Sequence, residues 1–174
     1  MKFFDDVLSD ETLNFYHKEF EIISQQQRWG LSDLNWSDNI KVGITGVCAY
    51  TSVSEQLKSM LKSDLADVLP EHDDLGIRHY IWTRNSGISV HNDRGYAFGA
   101  TIYLNKEWSV NDGGLFIYGD KMQNSFTPLY NSLCLNDDET NHLVTPVSPL
   151  STQNRNTLQI WGLRKKTLDK SSVI

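Results

Sequence analysis

The sequence has few of the residues that mark disulfide-bonded, zinc-finger and nucleic-acid-binding proteins. Its 174 residues include only two cysteines, Cys48 and Cys134, and neither belongs to a CxxC pair. We therefore expect neither a disulfide framework nor a zinc finger, and interpret both cysteines as small buried apolar side chains. Lys and Arg number 16 against 22 Asp and Glu, which gives a formal charge of −6. This balance argues against a dedicated nucleic-acid surface, so no nucleic-acid partner is expected.

Long apolar runs, which mark secreted and membrane proteins, are also missing. No uninterrupted apolar stretch approaches the roughly 18 residues that a membrane-spanning helix needs. At the N-terminus, Asp5 and Asp6 stand where a secretory signal requires an apolar segment. We expect a soluble cytoplasmic protein without a membrane partner. The length suits one domain, with helical support in residues 1–75, a strand-rich core in residues 76–163 and a tail in residues 164–174.

Two segments of the first half show the apolar spacing of amphipathic helices. Ser9 precedes two acidic residues and an apolar stripe, which predicts a capped helix over residues 10–25. A second helical pattern covers residues 54–67 and ends before Pro70. Between them, residues 29–50 have the broken pattern of loops and one or two strands.

The remainder of the chain has the pattern of short strands separated by turns. Apolar, β-branched and aromatic residues recur in runs bounded by Gly, Pro, Asn and Asp. The predicted strands cover residues 77–83, 87–91, 97–104, 115–118, 132–135, 142–147 and 157–161. So many short strands with this punctuation favour a β-sandwich or barrel.

His91 and Asp93 are the most chemically pointed pair in the sequence. Residues two apart in an extended strand point the same way, so an imidazole and a carboxylate at this spacing can bind one ion. His142 lies 49 positions beyond Asp93 (142 − 93), and a sheet could bring it alongside. Two histidines and one carboxylate are the ligand set of non-haem Fe(II) oxygenases. Taken alone, His91 and Asp93 also fit a hydrogen-bonded surface pair.

Three other histidines are weaker metal ligands. His17 lies in the first predicted helix and is interpreted as a surface or packing residue. His72 lies in an acidic turn, where adjacent residues rarely converge on one ion. His79 is the stronger competitor because it lies on a predicted strand, but its neighbours two residues away, Ile77 and Ile81, offer no second ligand.

Four motifs follow one another through the second half of the chain. They are His91-Asn92-Asp93, Gly113-Gly114 before an apolar strand, His142 followed by Pro146-Val147, and Arg155 leading into Leu158-Gln159-Ile160-Trp161. In this order they resemble the Fe(II)/2-oxoglutarate-dependent dioxygenases, and within them the prolyl 4-hydroxylase-like branch. Residues 103–108 also resemble the strand end that follows the first two iron ligands in that branch, and the resemblance covers about residues 77–163.

The resemblance implies a mainly β fold with N-terminal helices, the double-stranded β-helix or cupin-like jelly-roll barrel. His91, Asp93 and His142 would be the catalytic iron ligands, at one open end of the barrel. The glycine pair is consistent both with a tight turn and with the family motif, since glycine is needed wherever the backbone takes a positive φ.

The resemblance also implies a receptor for the distal carboxylate of 2-oxoglutarate. A buried guanidinium can bind this group through two parallel hydrogen bonds, and Arg155 fits that role. Thr157, two residues along the same strand, and Tyr103 would bind the same carboxylate. His142 and Arg155 are 13 positions apart (155 − 142), a longer interval than is usual in the family, which we interpret as an inserted polar loop. A second aromatic contact to the cosubstrate could come from Tyr80 or Trp82, which the sequence does not distinguish.

The activity implied is hydroxylation of a C–H bond by Fe(II), 2-oxoglutarate and O2, with release of succinate and CO2 and with ascorbate as a candidate reductant. The branch favours a protein or peptide side chain such as proline as substrate. A small molecule such as a free amino acid is the alternative. Four residues are candidates for a substrate groove, although such aromatic side chains more often belong to the core; they are Trp36, Trp82, Arg84 and Trp108.

Two other kinds of protein would also fit a metal-binding jelly roll. A non-catalytic binding module could keep the metal site for a structural or sensing use, but such a site has no need for the carboxylate receptor of Arg155 and Thr157. A cupin-like metal enzyme that does not use 2-oxoglutarate would usually have a further His or Glu near the site, and the sequence offers none.

Overall fold

A computed structural model gives the fold and describes residues 1–31 and 45–164. Trp36 and part of the predicted loop and strand region lie outside the described residues, as does the tail beyond residue 164. The elements in chain order are β1 (Lys2–Phe4), α1 (Asp10–Gln25), β2 (Gly30–Leu31), β3 (Cys48–Ser52), α2 (Glu55–Asp64), β4 (Asp74–Trp82), β5 (Ile88–His91), β6 (Phe98–Tyr103), β7 (Phe116–Tyr118), β8 (Asn124–Phe126), β9 (Ser132–Asn136), β10 (His142–Val144) and β11 (Arg155–Leu163).

Both predicted helices are present and both are capped by serine. The Ser9 side chain accepts a hydrogen bond from the Thr12 backbone N–H at the start of α1, so the prediction for residues 10–25 is confirmed. Ser54 caps α2 in the same way. The second helix ends at Asp64, earlier than predicted, because the chain leaves helical geometry at Leu65, whose side chain is fully buried in the core.

Two antiparallel sheets form the body of the protein. The larger has the order β1-β9-β6-β11-β4-β3-β2 and the smaller the order β5-β10-β7-β8. All seven predicted strands are present, which confirms a mainly β fold with N-terminal helices. The strand predicted over residues 142–147 ends at Val144, since Pro146 cannot donate to a ladder and only Val147 continues, in an isolated bridge to Gly113.

The larger sheet divides the interior into two hydrophobic clusters. One lies between the sheet and the two helices and includes Leu57, Leu61 and Leu158. The other lies between the two sheets and includes Trp82, Tyr103, both cysteines and Phe116 of the smaller sheet. Both cysteines are buried thiols, as the sequence predicts.

Strand β11 shows how the sequence serves both clusters. Its even-numbered residues Leu158 and Ile160 are fully buried on the helix side, whereas Arg155 and Thr157 are buried on the side that faces the smaller sheet. This alternation follows from the two-residue period of a strand. Polar side chains at Arg155, Thr157 and Gln159 therefore enter the space between the sheets in a row, while Leu158 and Ile160 on the opposite face are apolar. Within the described ranges, no helix is both long enough and apolar enough to cross a membrane.

Candidate metal and cosubstrate site

The three predicted metal ligands come together at one end of the space between the sheets. His91 is the last residue of β5, and β10 begins at His142, which is directly opposite His91 in the ladder. Asp93 lies in the loop after β5, not in the strand as the two-residue spacing suggested. One ligand atom from each of the three residues lies within 4.8 Å of the others.

Backbone carbonyls fix the orientation of both imidazoles. Nδ1 of His91 lies 2.8 Å from the carbonyl oxygen of Ser89, and Nδ1 of His142 lies 2.9 Å from that of Thr140. A carbonyl oxygen only accepts, so each Nδ1 carries a proton, and in the neutral form of each imidazole Nε2 then keeps its lone pair. Nε2 of His142 lies 3.7 Å from an Asp93 carboxylate oxygen. Histidines that bind metals usually donate their other N–H in this way.

Asn136, at the end of β9, supports His142 indirectly, through hydrogen bonds to Thr140. Its side-chain N–H donates to the Thr140 carbonyl at 3.2 Å, and its side-chain oxygen accepts from the Thr140 backbone N–H at 3.1 Å. The Thr140 carbonyl is the same group that receives the His142 proton. Phe116 stacks on the other side of His142, with ring centroids 4.9 Å apart. The imidazole is therefore held by both hydrogen bonds and packing.

Asp93 needs a glycine beside it. A Cβ at Gly99, in β6, would lie 2.1 Å from an Asp93 carboxylate oxygen. Only a residue without a side chain leaves room for the carboxylate at this position. Burial, and then the proximity of His142, lower the pKa of His91 and favour the neutral imidazole that a metal requires. Two neutral imidazoles and one carboxylate fit Fe(II), with positions left for exogenous ligands.

Arg155 lies buried at the start of β11 with no group to neutralise it. The residue is 1% exposed, and none of its three guanidinium nitrogens has a hydrogen-bond partner among the described residues. Its guanidinium carbon lies 5.1 Å from the Trp82 ring centre and 5.0 Å from that of Tyr103. Burial lowers the pKa of Arg155, which reflects the cost of a desolvated charge. An arginine in this state is suited to an anionic ligand.

The other predicted cosubstrate residues lie next to Arg155. Tyr103 is fully buried, its hydroxyl also lacks a partner in the described part of the chain, and burial raises the pKa of this phenol. Thr157 is directly opposite Tyr103, and its hydroxyl oxygen accepts a hydrogen bond from the Trp82 indole at 3.1 Å. Thr157 can therefore still donate its own proton.

A cavity of about 250 Å³ connects the two groups of residues. The candidate metal ligands and Arg155 all line this cavity. Tyr103 and Thr157 do not line it and are buried next to Arg155. Gly114 makes room for the guanidinium, since a Cβ there would meet Arg155 Cδ at 2.7 Å. The second glycine of the Gly113-Gly114 motif thus serves the site as well as the turn, where its φ is +60°.

Known structures share this architecture. A Pseudomonas putida prolyl-4-hydroxylase superposes with a TM-score of 0.69 at 16% identity, over 94% of this chain and 92% of that one. A Trichoplax adhaerens prolyl hydroxylase, solved with a hypoxia inducible factor peptide fragment, gives a TM-score of 0.68 at 17% identity over 95% and 84%. A viral collagen prolyl hydroxylase from Paramecium Bursaria Chlorella virus-1, solved with 2-oxoglutarate, gives 0.58 at 11% identity over 92% and 93%.

The chain has the double-stranded β-helix fold of the prolyl hydroxylases. No protein-family model and no curated protein sequence matches it. At these identities the likeness establishes the fold.

Within this prolyl hydroxylase fold, sequence reasoning missed several residues of the cavity. Thr101 donates its hydroxyl proton to the side-chain oxygen of Gln159 at 2.7 Å, and both line the cavity. The two-residue alternation from Arg155 and Thr157 along β11 could have identified Gln159. Asn136 and Gly99 depend on contacts across the sheet, and no local pattern marks them. Tyr80 and Trp82 both line the cavity, so the structure does not separate them.

Two of the remaining candidates for a substrate groove, Arg84 and Trp108, do not line the cavity, whereas Trp82 does. Nε of Arg84 donates to the Ser151 carbonyl at 2.8 Å, and the Trp108 indole donates to the Gly113 carbonyl at 3.1 Å; neither lines the cavity. Trp82 belongs to the core and lines the cavity as well.

The three other histidines also lie outside the site. His79 Nε2 lies 2.9 Å from a Glu19 carboxylate oxygen. The buried His79 side chain therefore connects β4 of the larger sheet to helix α1. His17 contacts Tyr130, and His72 contacts the Pro70 carbonyl. His17 packs against Tyr130, as its interpretation from the sequence has it, and none of the three belongs to the cluster of His91, Asp93 and His142.

Proposed function

We propose that the chain is a single-domain Fe(II)- and 2-oxoglutarate-dependent dioxygenase that hydroxylates a C–H bond. His91, Asp93 and His142 would hold Fe(II), and Arg155 would hold the distal carboxylate of 2-oxoglutarate with help from Tyr103 and Thr157. The products would be the hydroxylated substrate, succinate and CO2. Ascorbate is our candidate reductant for keeping the iron in the Fe(II) state.

The observation that carries this proposal is that one cavity contains both a possible metal site and a buried, unneutralised arginine. A metal site of structural use needs no second anion receptor, yet Arg155 lies unneutralised in the same cavity as the His-Asp-His cluster. An unpaired buried cation costs several kcal/mol, of the order of a whole buried ion's desolvation penalty. A dicarboxylate bound between the metal and Arg155 would remove that cost. The presence of an anion receptor beside the metal site favours an enzyme over a non-catalytic binding module.

The residues of the chain would act by binding, orienting and excluding water. Ser89 and Thr140 keep the imidazole protons on Nδ1, so that both Nε2 atoms face the metal position. The three guanidinium nitrogens of Arg155 are buried, so a carboxylate would reach them only when a neighbouring side chain moves aside. The bound iron would supply oxidising power from O2 and 2-oxoglutarate that no side chain can provide.

For the substrate we propose a protein or peptide side chain, with proline as the first candidate. Support comes from similar folds, among them a prolyl hydroxylase solved with a peptide fragment and a viral collagen prolyl hydroxylase. The cavity is open at the metal end, where exposed Tyr96 contributes to its wall, so a peptide side chain could enter from the surface.

The test begins with cosubstrate binding in the absence of oxygen. Fe(II) and 2-oxoglutarate added anaerobically to the wild-type protein should give a visible charge-transfer band. Asp93→Ala should lose the band because it removes a metal ligand, and Arg155→Gln should require much more 2-oxoglutarate. Asp67→Ala, which removes an exposed carboxylate from the turn after α2, should behave as wild type.

A second stage tests catalysis. Peptides incubated with the aerobic protein should gain the mass of one oxygen atom, with one succinate released for each hydroxylation. Succinate release that does not require Fe(II), or that persists in Asp93→Ala, would refute the proposed function.

A further inference from the structure

A cluster of aromatic rings surrounds the metal end of the cavity. Tyr96 and Trp161 have ring centroids 5.9 Å apart, and Tyr80 meets Trp161 edge-on at 6.3 Å. All three line the cavity. Trp161, on the same face of β11 as Arg155 and Gln159, is shared by both ring contacts.

Arg78 carries a positive charge beside this cluster. It is opposite Gln159 in the ladder between β4 and β11, two residues before Tyr80 on the same face of the strand. Its guanidinium carbon lies 4.6 Å from the Tyr50 ring centre and 5.8 Å from that of Trp161. The side chain is half-buried, so its charge is held at the rim and does not extend into open solvent.

No acidic group of the described chain neutralises Arg78. The nearby Arg94, in contrast, is paired with Glu139 at 3.2 Å. The aromatic rings occupy the faces of the Arg78 guanidinium, and among the described residues its N–H groups have no hydrogen-bond partner. A guanidinium stacked on rings keeps its edge donors available for a carboxylate, and the stacking reduces the conformational entropy lost on binding.

Arg78 is also clearly separate from Arg155. Arg155 is opposite Trp82, four residues further along β4, which corresponds to roughly 13 Å at the rise of a strand. Arg155 therefore lines the cavity itself, whereas Arg78 lies outside its lining, against the ring of Trp161, which does line it. A single small dicarboxylate held by Arg155 and the metal would leave Arg78 without an anion.

We propose that Arg78 is a specificity-determining residue that binds a carboxylate group of the substrate while the target C–H bond lies at the metal. This inference rests on the proposed function and adds a substrate class to it. The carboxylate could belong to an acidic residue beside the target in a peptide, or to the α-carboxylate of a free amino acid. A protein of formal charge −6 would otherwise repel either one, so a local cation is the feature that admits it.

The test compares the dissociation constants of matched charged and neutral probes. The protein is loaded with Zn(II) and 2-oxoglutarate, so that it can bind a probe without turning it over. The peptide arm uses acetylated and amidated peptides with a central proline, identical except for Glu or Gln at the flanking positions. The amino-acid arm uses L-proline and L-prolinamide. Dissociation constants are measured by calorimetry for wild type, Arg78→Gln, Arg78→Lys and the control Lys18→Gln, which removes an exposed charge from α1.

In one arm, wild type should bind the charged probe with a dissociation constant at least about tenfold lower than that of the neutral probe. This is the size expected for a charge-assisted hydrogen-bonded pair. Arg78→Gln should abolish this preference, Arg78→Lys should keep part of it, and Lys18→Gln should keep all of it. Preference in the peptide arm or in the amino-acid arm identifies the source of the carboxylate.

The proposal is overturned if wild type binds both members of each arm equally, if it binds none of them, or if Arg78→Gln keeps the preference. Failure of the proposed function has a different signature. In that case the wild-type protein would not bind 2-oxoglutarate at all, whatever its preference among the substrate probes. Arg78→Gln should itself bind 2-oxoglutarate as wild type does.

Discussion

Replacing Arg155 by methionine should stabilise the protein in the absence of ligand. Arg155 is 1% exposed and its guanidinium nitrogens have no partner in the described chain, so the folded state contains a desolvated charge. Unfolding returns that charge to water. Methionine has a similar length, and its flexible thioether packs well against the rings of Trp82 and Tyr103 that now flank the guanidinium.

The magnitude follows from two opposing contributions. An uncompensated buried ion costs several kcal/mol, and replacing buried charges by apolar residues can stabilise a protein by about 1–4 kcal/mol. The two aromatic contacts of Arg155 offset part of this cost, at about 0.5–2 kcal/mol each. Because a desolvation cost of several kcal/mol exceeds the typical contribution of two such contacts, we expect the free energy of unfolding of Arg155→Met to exceed that of wild type by only about 1 kcal/mol without 2-oxoglutarate.

The order should reverse when 2-oxoglutarate is added. At a ligand concentration about 100 times Kd, wild type gains about 2.7 kcal/mol, and a variant that does not bind gains nothing. Urea denaturation of both proteins loaded with Zn(II), with and without 2-oxoglutarate, measures all four free energies. Lys18→Met, an exposed substitution in α1, controls for adding a methionine. An Arg155→Met protein that is about 2 kcal/mol less stable than wild type without ligand would refute the reasoning, since it would show that the charge is compensated.

Three further substitutions separate support of the metal site from support of the fold. Asn136→Ala should weaken metal binding by about 10–100-fold, because it frees the carbonyl that orients His142; chelator competition measures this, and an unchanged affinity would contradict it. Gly99→Ala should displace the Asp93 carboxylate, whose oxygen lies 2.1 Å from the added Cβ, and so lose metal binding while circular dichroism stays native. Leu158→Ala should cost about 2–5 kcal/mol in unfolding free energy but leave metal affinity within about twofold, because it empties a site on the helix side of the sheet.

The sequence was most informative where chemistry and strand periodicity coincide. His91 and Asp93 could be found because their two-residue spacing suits shared metal binding, and His142 and Arg155 because they complete the ordered motifs of the family that the sequence resembles. Both helices were predictable from serine caps and apolar spacing. The helix caps and the spacing of His91 and Asp93 are local signals, whereas His142 and Arg155 were recognised from the order of motifs along the chain.

Features that depend on long-range pairing were not predictable. Strands β1 and β8 have three residues each and no distinctive local pattern; they exist because β9 and β7 offer them partners. The isolation of Arg155 depends on what surrounds it in three dimensions. The stacking of Arg78 likewise depends on Tyr50, which lies on β3, the strand paired with β4.

The division of the interior by the larger sheet bears on how such a chain can diverge. On the helix side of β11, residues such as Leu158 and Ile160 must only fill volume, and cores accept many apolar combinations of similar size. On the other side, Arg155 and its neighbours are tied to particular functional groups. Most positions can then drift while a few cannot, which agrees with a shared fold at 16% identity over 94% of the chain. For engineering, stability could be adjusted from the helix side without altering the chemistry.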